Sequence, residues 1–252
     1  QGTTNNIRSI LEDKAGVLWL GTDGDGLKRY DRPSGRIDYF DSVIAKAFDA
    51  DASAGLHIEA LAEDAGHAIW FACNLGVGML DPRTGTVSAL PLSTLELDKG
   101  GSRSRRALIV ARDGGIWFGG RDVGVMRYDP TRQTWRNWQH QDGDEASLTN
   151  NHVLALHEDR HGLIWAGTAD GLNLIDPSSG KVRTFGHERD NVHSLSSGVV
   201  RVVHESADGS FWIGTHGGLN HLARLDDGPA EFDRILKRDG LPDATIYGIL
   251  ED

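Results

Sequence analysis

One cysteine, two methionines and the absence of any long apolar run bound this 252-residue chain before anything else does. Cys73 alone excludes an internal disulfide, leaves the redox compartment open, and reads as a small, half-buried strand residue. No stretch approaches the ~18 consecutive apolar residues of a membrane span. The chain opens on Gln1 without the charged and apolar start of a signal peptide, so any export signal or anchor is expected outside these residues. Positive charge is scarce: 26 Lys and Arg against 37 Asp and Glu give a formal net charge of −11. The one dense basic run, Arg103-Ser104-Arg105-Arg106, reads as a solvated loop. Phosphate binding draws on clustered Lys and Arg, so no nucleic-acid partner is expected.

Signatures of chemistry are equally sparse. There is no Gly-x-Ser-x-Gly elbow, phosphate loop or nucleotide fingerprint. None of the eleven histidines forms a His-x-x-x-His or Cys/His pair with ligand spacing on a common element, since His157 and His161 fall on an inner strand and in the turn after it, and Asp23-Gly24-Asp25-Gly26 lacks the closing Glu of a calcium loop. No metal or other cofactor is expected.

What the chain has instead is a repeat. A Trp preceded by a turn Gly and followed by a Gly-Thr-like pair recurs at Trp19, Trp70, Trp117, Trp165 and Trp212, at intervals of 51, 47, 48 and 47 residues. That period predicts one four-stranded antiparallel sheet per unit. Six residues before each Trp stand Asp13, Asp64, Ala111, Asp159 and Ser206, and the Gly three before it supplies a positive φ, except where His67 replaces it beside Gly66. Each unit therefore begins strand, tight turn, strand. The segments Ile7 to Glu12, Ile58 to Glu63, Arg105 to Val110, Val153 to Glu158, Val200 to Glu205 and Ile246 to Glu251 align without gaps as inner strands, with a small third residue in five of six. Pro-containing turns after Asp31, Asp81, Asp129 and Asp176 end a third strand, and a fourth follows.

The fold class is thus all-β, a β-propeller of five blades, at about 5–40, 57–90, 104–138, 151–185 and 198–235, plus the first strand of a sixth within 243–252. A chain stopping at the sixth inner strand is expected to be a piece of a longer array, an arc or poorly closed ring. The five Trp residues are expected to pack sheet on sheet. Trp135 and Trp138, on the third unit's outer strand, have no evident assignment.

The unit Glu-Asp-x-x-Gly-x-Ile/Leu-Trp-x-Gly-Thr-x-x-Gly-Leu, followed by Asp-Pro-x-x-Gly, resembles the two-component regulator propeller repeat. Repeats four and five match it best, and linkers such as Ser147-Leu148-Thr149-Asn150-Asn151 and Ser194-Leu195-Ser196-Ser197 resemble its inter-repeat segments. The resemblance implies a non-enzymatic, ligand-binding input region in the periplasm. It also implies that a membrane helix and a histidine kinase or diguanylate cyclase follow outside this chain. Two other readings stand beside it: a propeller lyase similar to streptogramin lyase, though the repeats here are longer, and a protein-interaction scaffold.

Binding is expected at one end of the blades, where loops entering the inner strands meet loops joining strands two and three. The candidates are Asn6, His57, Arg106, Asn151 and His152 from the first set and Arg121, Asp122, Asp170 and His216 from the second. They differ between blades while the framework repeats, the pattern of a variable surface on a rigid scaffold. The expected partners are a small molecule, carbohydrates included, or a protein signal, with neighbouring blades, downstream domains and a second copy of the chain. His157 and His204 occupy equivalent inner-strand positions and are expected to be repeat-equivalent polar residues, as are Glu12, Glu63, Glu158 and Glu205.

Overall fold

The computed structural model describes residues 6–51, 55–90, 107–226 and 228–251. Five four-stranded antiparallel units follow one another. The first comprises β1 (Ile7–Glu12), β2 (Leu18–Gly24), β3 (Leu27–Asp31) and β4 (Arg36–Tyr39), and the second β5 (Leu56–Glu63), β6 (Ile69–Cys73), β7 (Gly76–Asp81) and β8 (Thr86–Ala89). The third contains β9 (Ala107–Val110), β10 (Ile116–Gly120), β11 (Gly124–Asp129) and β12 (Thr134–Trp138). The fourth contains β13 (Val153–Glu158), β14 (Ile164–Thr168), β15 (Gly171–Ile175) and β16 (Val182–Phe185), and the fifth β17 (Val200–Glu205), β18 (Phe211–Thr215), β19 (Leu219–Arg224) and β20 (Glu231–Ile235). Strand order within each unit is sequential, and a short β2–β5 ladder, Asp23 opposite His57 and Gly24 opposite Leu56, joins the first two. The chain divides into two compact units, residues 1–121 with 128–134 and residues 122–127 with 135–252.

The Asp six residues before Trp explains the hairpin. One carboxylate oxygen of Asp13 accepts from the amides of Ala15 and Val17 at 3.0 and 2.9 Å, and the other accepts from the Trp19 indole N–H at 2.8 Å. Asp64 does the same for Gly66, Ala68 and Trp70, and Asp159 for His161, Leu163 and Trp165. A single side chain thus closes the turn and satisfies a buried indole donor. Where Ser206 stands, Asp208 accepts from the Ser210 amide, and the Trp212 indole donates to Ser210 Oγ at 3.2 Å. His67 takes the turn's positive φ itself, +68° against +80° at Gly16, so the adjacent Gly66 is not what keeps the register.

Two further positions fasten one blade to the next. The Gly of Trp-x-Gly-Thr leaves room for the following inner strand: a Cβ on Gly167 would lie 2.7 Å from Val200 Cγ1 and 2.9 Å from its carbonyl oxygen. A Cβ on Gly21 would meet Ile58 at 2.8 Å, and one on Gly214 would meet Ile246 at 2.7 Å. The Glu that closes the second, fifth and sixth inner-strand segments reaches back instead. Glu63 accepts from the Lys14 amide at 2.8 Å, Glu205 from the Arg160 amide at 2.8 Å, and Glu251 from the Ala207 amide at 3.1 Å. Recurrence of this Glu at the repeat period therefore has a structural cause.

Packing follows the same logic. Trp19, Trp117 and Trp165 are fully buried, and Trp165 stacks on Phe185 of its own blade and tilts against Phe211 of the next, with centroids 5.9 and 5.0 Å apart. Trp138 is buried and donates its indole N–H to the Gly180 carbonyl at 3.0 Å, which gives this outer-strand residue its place. Cys73 is fully buried in the first unit's core, not half-buried, because strand β6 is covered along its whole length. The long first Trp interval contains an unexpected helix, α1 (Asp41–Ala47), whose Ile44 joins the core around Trp19, Leu56 and Ile58. The linkers are locked as well. The amides of Thr149 and Ser196 donate to the buried Asn173 and Asn220 at 2.8 Å, and their hydroxyls meet Thr168 and Thr215 at 2.8 Å. Ile246 to Glu251 runs where a sixth inner strand would lie, held by the Ile246 amide on the Thr215 carbonyl at 2.9 Å, but it forms no strand because nothing later in these residues supplies a ladder.

Candidate functional site

Each described inner strand of blades one, two, four and five carries a β-bulge at the same place, between Ile7 and Ser9, Ile58 and Ala60, Val153 and Ala155, and Val200 and Val202. The extra residues are Arg8, Glu59, Leu154 and Arg201. A bulge re-aims a side chain, and here one backbone bond per blade fixes its surroundings. The amide four residues past Trp donates to the carbonyl two residues before the bulged one: Asp23 to Asn6 at 2.9 Å, Asn74 to His57 at 3.2 Å, Ala169 to His152 at 3.0 Å and His216 to Val199 at 3.1 Å. In blades one, two, four and five the loop entering the inner strand therefore meets the loop joining strands two and three at one end of the sheet. A gap-free sequence alignment gives no sign of the bulge.

In the first unit this end is an ion-pair network. The Arg8 guanidinium donates to Asp23 at 2.8 Å and to Glu59 at 3.1 Å, and His57 Nδ1 lies on the other Asp23 oxygen. The bond from Arg8, then that from His57, holds Asp23 below the usual carboxylate range, and Asp23 in turn raises Arg8. Asn6 contributes its carbonyl, and the Asn74 side chain accepts from the His57 amide at 3.0 Å. Arg121 is exposed.

In the second unit the equivalent positions carry no such network. The Arg201 Nε–H points at His216 Nε2, and the guanidinium lies 4.9 Å from the centre of the Tyr247 ring. Burial, then the Arg201 charge, lowers the His216 pKa, and Nε2 is the atom that accepts from the guanidinium. Asn151 and His152 are half-buried. The Asn151 side chain accepts from the His140 amide at 2.8 Å, and the His152 amide donates to Asn150 at 2.7 Å. Asp170 is exposed beside Gly198, and Asp122 is exposed at a φ of +63°. Arg106 lies outside the described residues.

At the opposite end of the inner strands, His157 Nε2 sits 3.8 Å from Glu205 and His204 Nε2 sits 3.1 Å from Glu251. Each histidine thus faces the Glu of the following repeat. Burial lowers the His157 pKa against the opposing pull of Glu205. Among the described residues no group of three or more His, Cys, Asp and Glu is placed to hold a metal ion. Two open cavities are found, the first at the linker that enters β13 and the second at the turn joining β3 and β4. One of 460 Å³ is bordered by the His140–Thr149 linker and Thr184, and one of 490 Å³ by outer-strand residues including Arg29, Arg36 and Asp38.

Comparison with known proteins accords with this architecture. The family described as Two component regulator propeller matches residues 1–24 and 147–170, the hairpins built on Asp13 and Asp159. A histidine kinase P4 of Formosa agariphila is 32% identical over 174 residues, covering 67% of this chain and 12% of the kinase, so the chain spans a small part of that relative's length. The extracellular domain of BT3049 of B. thetaiotaomicron, classed as a hybrid two component system, superposes with a TM-score of 0.73 at 19% identity, over 100% of this chain and 32% of that one. Virginiamycin B lyase from Staphylococcus aureus superposes with a TM-score of 0.67 at 12% identity, over 97% and 73%. At such identities both likenesses show a shared propeller fold alone. With the repeat's hairpin, joint and linker all accounted for residue by residue, the first and fourth repeats of this chain match the two component regulator propeller family.

Proposed function

We propose that this chain is a non-catalytic ligand-binding input region, held outside the cytoplasmic membrane, of a signalling protein whose output is a histidine kinase or diguanylate cyclase domain elsewhere in the polypeptide. One observation carries the reading. The Asp, Glu, Gly and Trp residues that build and join the blades repeat, whereas the bulge and loop pair changes from Arg8/Asp23 to Glu59/Asn74, Leu154/Ala169 and Arg201/His216. Variation confined to one end of a repeating frame is how such scaffolds acquire individual ligands. The likeness to a histidine kinase supports the signalling context.

A thermal-shift screen of the full chain against small acids, sugars and peptides, with each hit recovered and weighed by mass spectrometry, tests the proposal. A saturable rise in melting temperature with the compound recovered unchanged supports it. A hit recovered as a cleaved or eliminated product indicates a lyase, and no small-solute hit at all favours a protein-binding scaffold.

A further inference from the structure

Arg8 and Arg201 occupy the same bulge in the first and fifth blades, yet their surroundings differ in kind. Arg8 meets two carboxylates, Asp23 and Glu59, so its charge is compensated within the protein. At the position of Asp23 the fifth blade has His216, whose ring nitrogen accepts from the Arg201 Nε–H, and at the position of Glu59 the following repeat has Tyr247. Among the described residues no carboxylate is paired with the Arg201 guanidinium. The group is nevertheless held. Its Nε–H is on His216, its plane is against Tyr247, and the Tyr247 segment is tied down on both sides by the Ile246 amide on Thr215 and by Glu251 on the Ala207 amide. With Nε occupied, the two Nη groups remain to present a planar donor pair. The Tyr247 ring lies beside them.

The geometry points to Arg201, His216 and Tyr247 as a subsite for a small oxyanion-bearing ligand, a carboxylate or a sulfonate or sulfate, whose adjoining ring or apolar face covers Tyr247. A guanidinium pairs with such groups through two parallel N–H donors, and the recognition is stronger where no internal acid competes. An aromatic face beside the cation adds a contact that a bare ion cannot use. The inference rests on the input-region reading only for the consequence of binding. Anion binding without any signalling output would leave this subsite standing and remove that reading.

Titration of the full chain with benzoate, benzenesulfonate and the neutral benzamide at constant ionic strength, followed by NMR at the His216 ring and the Tyr247 amide, tests it. One or both anions should give saturable shifts, the tighter one identifying the anion class, with benzamide at least tenfold weaker. Arg201→Gln should weaken anion binding at least tenfold and Arg201→Lys should restore only part of it, while Arg189→Gln, an equal charge change on an exposed linker, should leave it unaltered. His216→Gln, which keeps the guanidinium but changes its support, should weaken binding severalfold. Benzamide binding as tightly as the anions, unchanged affinity in Arg201→Gln, or no saturable shift would overturn the inference.

Discussion

Replacing Asp159 by Ala probes the hairpin mechanism at its most buried copy. Asp159 is 3% exposed, Trp165 is 1% exposed, and the carboxylate receives the His161 and Leu163 amides at 2.9 Å and the indole N–H at 3.0 Å. The two turn amides can recover water, so each contributes about 0.5 kcal/mol, whereas a buried indole donor left without its acceptor costs about 1–3 kcal/mol. The expected destabilisation is about 2–4 kcal/mol, a large share of a domain's net stability. Asp159→Asn keeps an oxygen for the amides but turns an NH₂ toward the indole N–H, and should cost about 1–2 kcal/mol. Urea unfolding of the full chain reads this as a lower midpoint at constant m. A cycle with Trp165→Phe, which removes the donor, should show a coupling of about 1–3 kcal/mol. A loss under about 0.5 kcal/mol for Asp159→Ala, or no coupling, would refute the argument.

Further outcomes follow from the blade joint and from the histidine at its far end. Gly167→Ala forces a Cβ against the Val200 carbonyl at 2.9 Å and should cost about 1–3 kcal/mol by overpacking; a neutral result in the same urea assay would contradict the joint. His157 has a folded pKa below its ordinary 6.5 because of burial, so the unfolded chain takes up the proton first. Stability should therefore be full above about pH 6.5 and fall as pH drops from there through the folded value. His216 contributes in the same direction, so His157→Leu should flatten only part of that slope, and an unchanged slope would contradict the assignment.

Much of the frame was legible because its causes are local. An Asp six residues before a Trp, with a Gly between them, describes a turn whose hydrogen bonds never leave one hairpin, and Asp before a Pro-containing turn describes the next reversal. Asp176, for instance, accepts from the Ser178 amide at 2.8 Å. What sequence reasoning missed comes from contacts made a whole repeat away. The partner of Glu63 is the Lys14 amide and that of Glu205 the Arg160 amide, so their recurrence was visible but their purpose was not. The bulges shift the ladder without inserting a residue into the repeat, and so leave no gap in an alignment. Helix α1 is too short to carry a periodic signal; only the 51-residue interval hinted at it. The candidate end of the blades was found from loop variability, but the contrast between a compensated Arg8 and an uncompensated Arg201 depends on neighbours that only the fold supplies.

The central claim, that these repeats are the input region of a larger signalling polypeptide, is tested most directly by reading and translating the coding sequence on both sides of this segment. The account predicts further repeats of the same Asp, Trp and Gly pattern, an export signal upstream, and a membrane helix followed by a kinase or cyclase domain downstream. A stop codon after one closing blade, with no membrane segment on either side, would contradict it.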